Sequence, residues 1–168
     1  MSLIFQATRA FAFGFVLVFG STLHCRELVA EPLAPVILEL ENWLDENSGL
    51  PRAEHLPTVR FSGPEALGDV ADPTMSIGSR TRGIYEPKTQ TITLITPWSA
   101  SDPVDLSVLL HELVHHRQPG IRQECPSSQE PEAYRLQQKW LAARGIALDV
   151  NWVAVGLTSG CGLSDVHP

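Results

Sequence analysis

Two histidines and a glutamate stand close together in His111-Glu112-Leu113-Val114-His115. If this segment is helical, the histidines lie one turn apart on the same side, so both imidazoles can reach one ion. Zinc accepts neutral imidazole nitrogens as ligands. Glu112 projects about 100° away from His111 in a helix, where it can accept a proton from metal-activated water instead of ligating the metal. The pattern therefore predicts a Zn²⁺ site with Glu112 as general base.

The sequence around this motif predicts the helix that carries it. Asp102 is a good N-cap, and Pro103 suits the first helical position. Pro119-Gly120 ends the helix near Gln118. An apolar face is supplied by other residues of the same helix, so the histidines are not needed for packing; these residues are Leu106, Leu110, Leu113 and Val114.

A catalytic zinc site needs a third protein ligand. The extended pattern HExxHxxGxxH is absent, because Gln118 and Ile121 stand where its glycine and third histidine would be. The other common solution is a glutamate on a following helix, and three glutamates follow the motif: Glu124, Glu130 and Glu132.

We expect Glu132 to be the third ligand, together with His111 and His115. Glu132 lies inside the first turn of the next predicted helix, and Ala133 beside it allows two helices to approach closely. Glu130 is the alternative, at the helix start where the sequence fits a capping box. Glu124 adjoins Cys125 in a predicted loop.

The motif and the downstream segment Glu130-Pro131-Glu132-Ala133-Tyr134 together resemble the gluzincin class of zinc metallopeptidases. They are also similar to minimal gluzincins, including peptidase domains that cleave phage repressors, and to small uncharacterised exported bacterial proteins with HELVHH. The matched region is roughly residues 83–144, and Tyr134 stands where asparagine is common in minimal gluzincins. The resemblance implies a small zincin-like domain that hydrolyses a peptide or protein substrate.

The whole chain predicts an α+β fold. Hydrophobic periodicity and turn residues predict the following elements: helices over 35–47, 103–118, 131–144 and 150–157, a strand over 57–61, and a hairpin of 83–85 with 89–95. We expect the short sheet to pack on the HExxH helix, and the next helix to bear the third ligand. The segment 91–94 is either an edge strand that binds an extended peptide or an interior strand.

The first 30 residues predict a signal peptide. Arg9 precedes the unbroken apolar run from Phe11 to Phe19, which is typical of an export signal. That run is about half the length of a membrane-spanning helix. We therefore expect residues 1–30 to be a leader and residues 31–168 to form a secreted or periplasmic domain. An uncleaved leader that anchors the chain to a membrane is the alternative.

Cys125 and Cys161 both lie in the expected mature chain. In an oxidising compartment such a pair is more often a disulfide than a metal site. A disulfide between them would contribute about 3–4 kcal/mol in the chain-entropy treatment. Two buried free thiols are the alternative.

Composition limits the domain count and the partners. The 168 residues are 43% hydrophobic and carry a formal net charge of −7, which becomes −8 when residues 1–30 are removed. This length suits one domain. We expect no nucleic-acid partner, because phosphate binding needs a clustered basic face and this chain has a negative net charge. The oligomeric state has no signal in the sequence.

Two residues near the motif have predicted structural roles. His116 points about 100° away from His115 in a helix, and we expect it to be solvated and not a ligand. Tyr85 is expected to be a structural residue of the hairpin, although it could also lie above the site and polarise a carbonyl.

The leading functional hypothesis is an exported zinc-dependent metallohydrolase, with a peptide or protein as substrate. A catalytically weak zincin-like binding or regulatory module is the second hypothesis, since 138 residues leave little chain for a second lobe around a substrate cleft. A disulfide-stapled structural domain without metal is the third.

Overall fold

The computed structural model describes residues 33–67, 81–118 and 126–159. Their order confirms a mixed α+β fold, with these main elements: α1 (Ala34–Asn47), β1 (Thr58–Ser62), β2 (Gly83–Glu86), β3 (Thr91–Ile95), α2 (Pro103–Arg117), α3 (Glu130–Ala142) and α4 (Trp152–Ser159). Short 3₁₀ turns cover Pro64–Leu67 and Pro126–Gln129. Within these three ranges, no helix has the length and apolar character needed to cross a membrane.

The three strands form one sheet in the order β1-β3-β2. Strands β2 and β3 are antiparallel neighbours, which confirms the predicted hairpin, and Gly83 pairs with Leu94. Strand β1 runs parallel to β3, with Val59 opposite Ile92. The segment 91–94 is therefore an interior strand, and its residues from Ile92 onward are buried. The edges of the sheet are β1 and β2.

Helix α2 lies at the centre of the packing and contacts α1, α3 and strands β2 and β3. Its start confirms the predicted cap, because the Asp102 carboxylate accepts a hydrogen bond of 2.8 Å from the Val104 N–H. Its apolar side faces the core as expected, with Leu106 only partly buried. The core side chains that are fully buried on α2 are Leu109, Leu110, Leu113 and Val114.

Polar contacts hold both ends of α2. Near its start, the buried Asp105 carboxylate forms an ion pair with Arg82, just before β2, and accepts a hydrogen bond of 2.8 Å from the Ser99 N–H. At its end, the buried Arg117 guanidinium donates to the Glu41 carboxylate on α1, with 2.8 Å from Nε to Oε2. Arg117 also donates to the Glu41 backbone carbonyl at 2.7 Å. The helix that carries the histidines is therefore fixed to the sheet at one end and to α1 at the other.

Replacing Arg117 with Met should strongly destabilise the fold, because it removes the buried cation that bonds the Glu41 carboxylate and leaves only the partly exposed Arg52, 3.7 Å away. We expect the free energy of unfolding to fall by about 3–5 kcal/mol, measured by urea denaturation. Arg52→Met is the matched control, since Arg52 is partly exposed and pairs mainly with the surface residue Asp45. Equal losses in the two variants would contradict a structural role for the buried pair.

Candidate metal centre

Three side chains with metal-ligating atoms meet between α2 and α3. Nε2 of His111 lies 3.0 Å from Nε2 of His115. The Glu130 carboxylate faces both rings, with Oε2 3.2 Å from Nε2 of His111 and Oε1 3.4 Å from Nε2 of His115. One ligand atom from each residue lies within 4.8 Å of the other two, so the group could hold a metal ion. The helical spacing predicted for the two histidines is confirmed.

The structure places Glu130, and not Glu132, at the histidine pair. The carboxylate of Glu132 accepts a hydrogen bond from Nε2 of Gln118 at 3.2 Å. Residues two apart on a helix point about 200° apart, so only one of the two glutamates can face the pair. The structure thus brings the alternative, Glu130, the first residue of α3, to the histidine pair in place of the expected Glu132.

Two glutamines that the motif search missed lie behind the imidazoles. Oε1 of Gln137 on α3 lies 3.1 Å from Nδ1 of His111, and Oε1 of Gln118 lies 3.0 Å from Nδ1 of His115. The signal in the sequence was spacing: Gln137 is two helical turns after Glu130, and Gln118 is three residues after His115. The ring of Tyr134 packs edge-on against His111, with 4.6 Å between centroids.

Glu112 is buried against strand β2. Its carboxylate receives a backbone hydrogen bond from Tyr85, and it interacts electrostatically with His111, His115 and Glu130. Burial raises the pKa of Glu112 above its ordinary value, and the charges of the two histidines only partly offset that effect. Glu112 therefore lies beside the cluster without being one of its three converging groups.

The charges around the cluster favour a cation at its centre. Burial works to raise the pKa of Glu130, but hydrogen bonds from His111 and His115 outweigh it and hold that pKa well below its usual range. Burial likewise works to lower the pKa of His115, yet the Glu130 hydrogen bond and the Glu112 charge leave it raised. Both shifts mean that positive charge between these groups is stabilised.

His116 is buried, so the expectation of a solvated side chain is wrong. Its Nδ1 accepts a hydrogen bond of 3.0 Å from the Tyr85 hydroxyl, and its Nε2 donates a hydrogen bond of 2.8 Å to the His55 backbone carbonyl. A residue that points away from the metal site can still face the protein, because α2 is surrounded on several sides. Tyr85 consequently has the structural role expected of it, linking β2 to α2.

Other predicted features lie outside the described residues. These are the leader over 1–30, Glu124, and the pair Cys125 and Cys161. The disulfide and the signal peptide therefore remain predictions.

Comparison with known proteins gives a family. Residues 29–168 match the family model described as Domain of unknown function (DUF6647). The chain belongs to this family. The DUF6647 match covers α2 and α3, and so includes all three residues of the cluster. No curated protein and no solved structure matches the chain.

Removing each glutamate in turn should separate their roles in metal binding. We expect Glu130→Ala to lower zinc affinity by at least tenfold, because it deletes a ligand atom, and Glu132→Ala to have a smaller effect that acts through Gln118. Competition with a chromophoric chelator measures both affinities. A larger loss in Glu132→Ala than in Glu130→Ala would contradict the assignment.

Adding a methyl group at Gly83 should disturb Glu112. A Cβ at this position would lie 2.8 Å from both Oε1 of Glu112 and Cγ1 of Val108. We expect Gly83→Ala to lower the free energy of unfolding by about 1–3 kcal/mol through this crowding, measured by thermal or urea unfolding. Gly49→Ala is the control, because nothing lies within 4 Å of a Cβ there. Equal stability of the two variants would contradict this expectation, because strand β2 would then have shifted to accept the methyl group without any loss of stability.

Proposed function

We propose that this protein is a zinc-dependent hydrolase that cleaves peptide bonds. The observation that carries the proposal is the convergence of His111, His115 and Glu130, with the buried carboxylate of Glu112 beside them. The HExxH motif followed by a glutamate on the next helix is also the pattern through which the sequence resembles gluzincins.

The residues present fit a zinc ion. Two imidazole nitrogens and one carboxylate oxygen are the three protein ligands found in one common type of catalytic zinc site, which keeps a fourth position open. A closed structural site would instead use four protein ligands. Among the described residues, only three such groups converge here. When bound, Zn²⁺ supplies Lewis-acid chemistry: it polarises a carbonyl and acidifies water.

Glu112 is the group that moves protons in this proposal. Burial raises the pKa of its carboxyl, which makes it a stronger base toward an attacking water than an exposed glutamate. It takes the water proton at a carboxylate oxygen as the water attacks the scissile carbonyl. It then gives that proton to the leaving amine. The Tyr85 backbone contact holds the carboxylate in place through both transfers.

His111, His115 and Glu130 have the complementary task of binding. The neutral rings and the single carboxylate leave one positive charge on a zinc site, which suits an electron-rich carbonyl oxygen. The compartment in which this happens follows from the predicted leader, so a secreted or periplasmic peptidase is part of the proposal.

Replacing Glu112 with Gln should abolish hydrolysis without removing the metal. The amide keeps the shape of the side chain but cannot accept the proton, so we expect kcat/KM to fall about 10²- to 10⁴-fold. Zinc content, from elemental analysis of the purified protein, should stay at the wild-type level. A fluorogenic peptide library provides the substrates.

Glu39→Gln is the control for this experiment, since it makes the same chemical change on an exposed position of α1. It should keep wild-type activity. Wild-type turnover in a zinc-loaded Glu112→Gln protein would contradict the mechanism. A fully zinc-loaded wild type that cleaves no peptide would favour the binding-module hypothesis instead.

A further inference from the structure

The side-chain amides of two glutamines lie next to the Nδ1 atoms of the two histidines in the cluster. Each Nδ1 faces the amide oxygen of a glutamine, Gln137 for His111 and Gln118 for His115. Which nitrogen of a neutral imidazole carries the proton depends on what the other nitrogen faces. The orientation of the two amides therefore helps to determine whether each Nε2 has a lone pair available for a metal.

A chain of hydrogen bonds fixes the orientation of Gln137. The Ser107 hydroxyl donates to the Val104 backbone carbonyl at 2.7 Å, so its oxygen is free to accept. Nε2 of Gln137 donates to that oxygen at 3.1 Å. The amide oxygen of Gln137 must then face Nδ1 of His111, and an amide oxygen only accepts. Gln137 therefore favours the Nδ1–H form of a neutral His111, and the Glu130 carboxylate, 3.2 Å from Nε2, competes for that proton until Nε2 binds a metal.

A second, independent set of contacts fixes Gln118. Its Nε2 lies 3.3 Å from the Gln129 backbone carbonyl and 3.2 Å from the Glu132 carboxylate. Both of these groups accept hydrogen bonds, so the amide nitrogen of Gln118 must face them. Its oxygen then faces Nδ1 of His115. Glu132 therefore acts behind Gln118, on the far side from the ligand atoms.

We propose that Gln137 and Gln118 are positioning residues that hold His111 and His115 as the Nδ1–H tautomer, with both Nε2 lone pairs aimed at the metal position. This inference rests on the proposed zinc site. A glutamine accepts the Nδ1 proton without adding charge, whereas the carboxylates that often occupy this place add negative charge and raise the basicity of the ring.

Zinc affinity of paired variants tests the role of Gln137. Gln137→Leu removes the acceptor, and we expect affinity to fall about 10- to 100-fold in chelator competition. Gln137→Glu restores an acceptor and should bind zinc at least as tightly as wild type. Gln138→Leu is the matched control on the same helix, because that glutamine donates to the Leu148 carbonyl and not to the site. If Gln137 only filled space, Gln137→Glu would bind zinc less tightly than Gln137→Leu, because a buried carboxylate disturbs the packing more than a buried leucine does.

The relay through Ser107 gives a second test. Ser107→Ala removes the group that orients the Gln137 amide, so it should weaken zinc binding in the wild-type background. It should have no further effect in the Gln137→Leu background, because the oriented amide is already gone. Additive losses in this double-mutant cycle would overturn the relay.

Tautomers in the metal-free protein separate this inference from the proposed function. Two-bond ¹⁵N–¹H spectra, recorded at a pH where both rings are neutral, measure how far each ring adopts the Nδ1–H form in competition with the Glu130 carboxylate, which faces both Nε2 atoms. The fraction of the Nδ1–H form should fall for His111 in Gln137→Leu, and for His115 in Gln118→Leu. If wild type binds no zinc, the proposed function fails, but these spectra still decide the positioning role. Spectra unchanged in both variants would overturn it.

Discussion

Two imidazole nitrogens lie 3.0 Å apart and both face one carboxylate, an arrangement that favours positive charge between them. If each Nδ1 carries its proton, as we propose, the two Nε2 lone pairs face each other, and a proton or a metal ion between them relieves their repulsion. Much of the surrounding structure serves this constraint. Helix α2 brings the histidines one turn apart, α3 supplies Glu130, and the ion pairs at both ends of α2 keep that helix in place.

The two glutamates after the motif have distinct roles because of helix geometry. Glu130 shares a face of α3 with Tyr134 and Gln137, and all three reach His111. Glu132 points to another side, where it meets Gln118. One short segment thus provides a candidate ligand atom, from Glu130, and a carboxylate that contacts the glutamine behind His115. Strand β2 completes the site from the opposite direction, since Gly83 makes room for Glu112 and Tyr85 bonds its carboxylate.

The sequence predicted the helices, the hairpin and the histidine pair, because periodicity, caps and motif spacing are local. It did not predict which glutamate faces the pair, since that depends on the rotation of α3 against α2. The full set of buried apolar residues of α3 holds the missing information. Ala133, Tyr134, Leu136, Trp140 and Leu141 are buried, and at about 100° per residue their mean direction lies nearer to Glu130 than to Glu132. The burial of His116 depends on the distant residues Tyr85 and His55, which no local pattern reveals.

Anomalous diffraction at the zinc absorption edge, from crystals of the zinc-loaded protein, tests the central assignment most directly. We predict one strong peak bonded to Nε2 of His111, Nε2 of His115 and a carboxylate oxygen of Glu130, with zinc–nitrogen distances of about 2.0–2.1 Å. Glu112 should lie next to the peak without ligating it. A peak bonded to Glu132 in place of Glu130, or the absence of zinc from this position, would contradict the account.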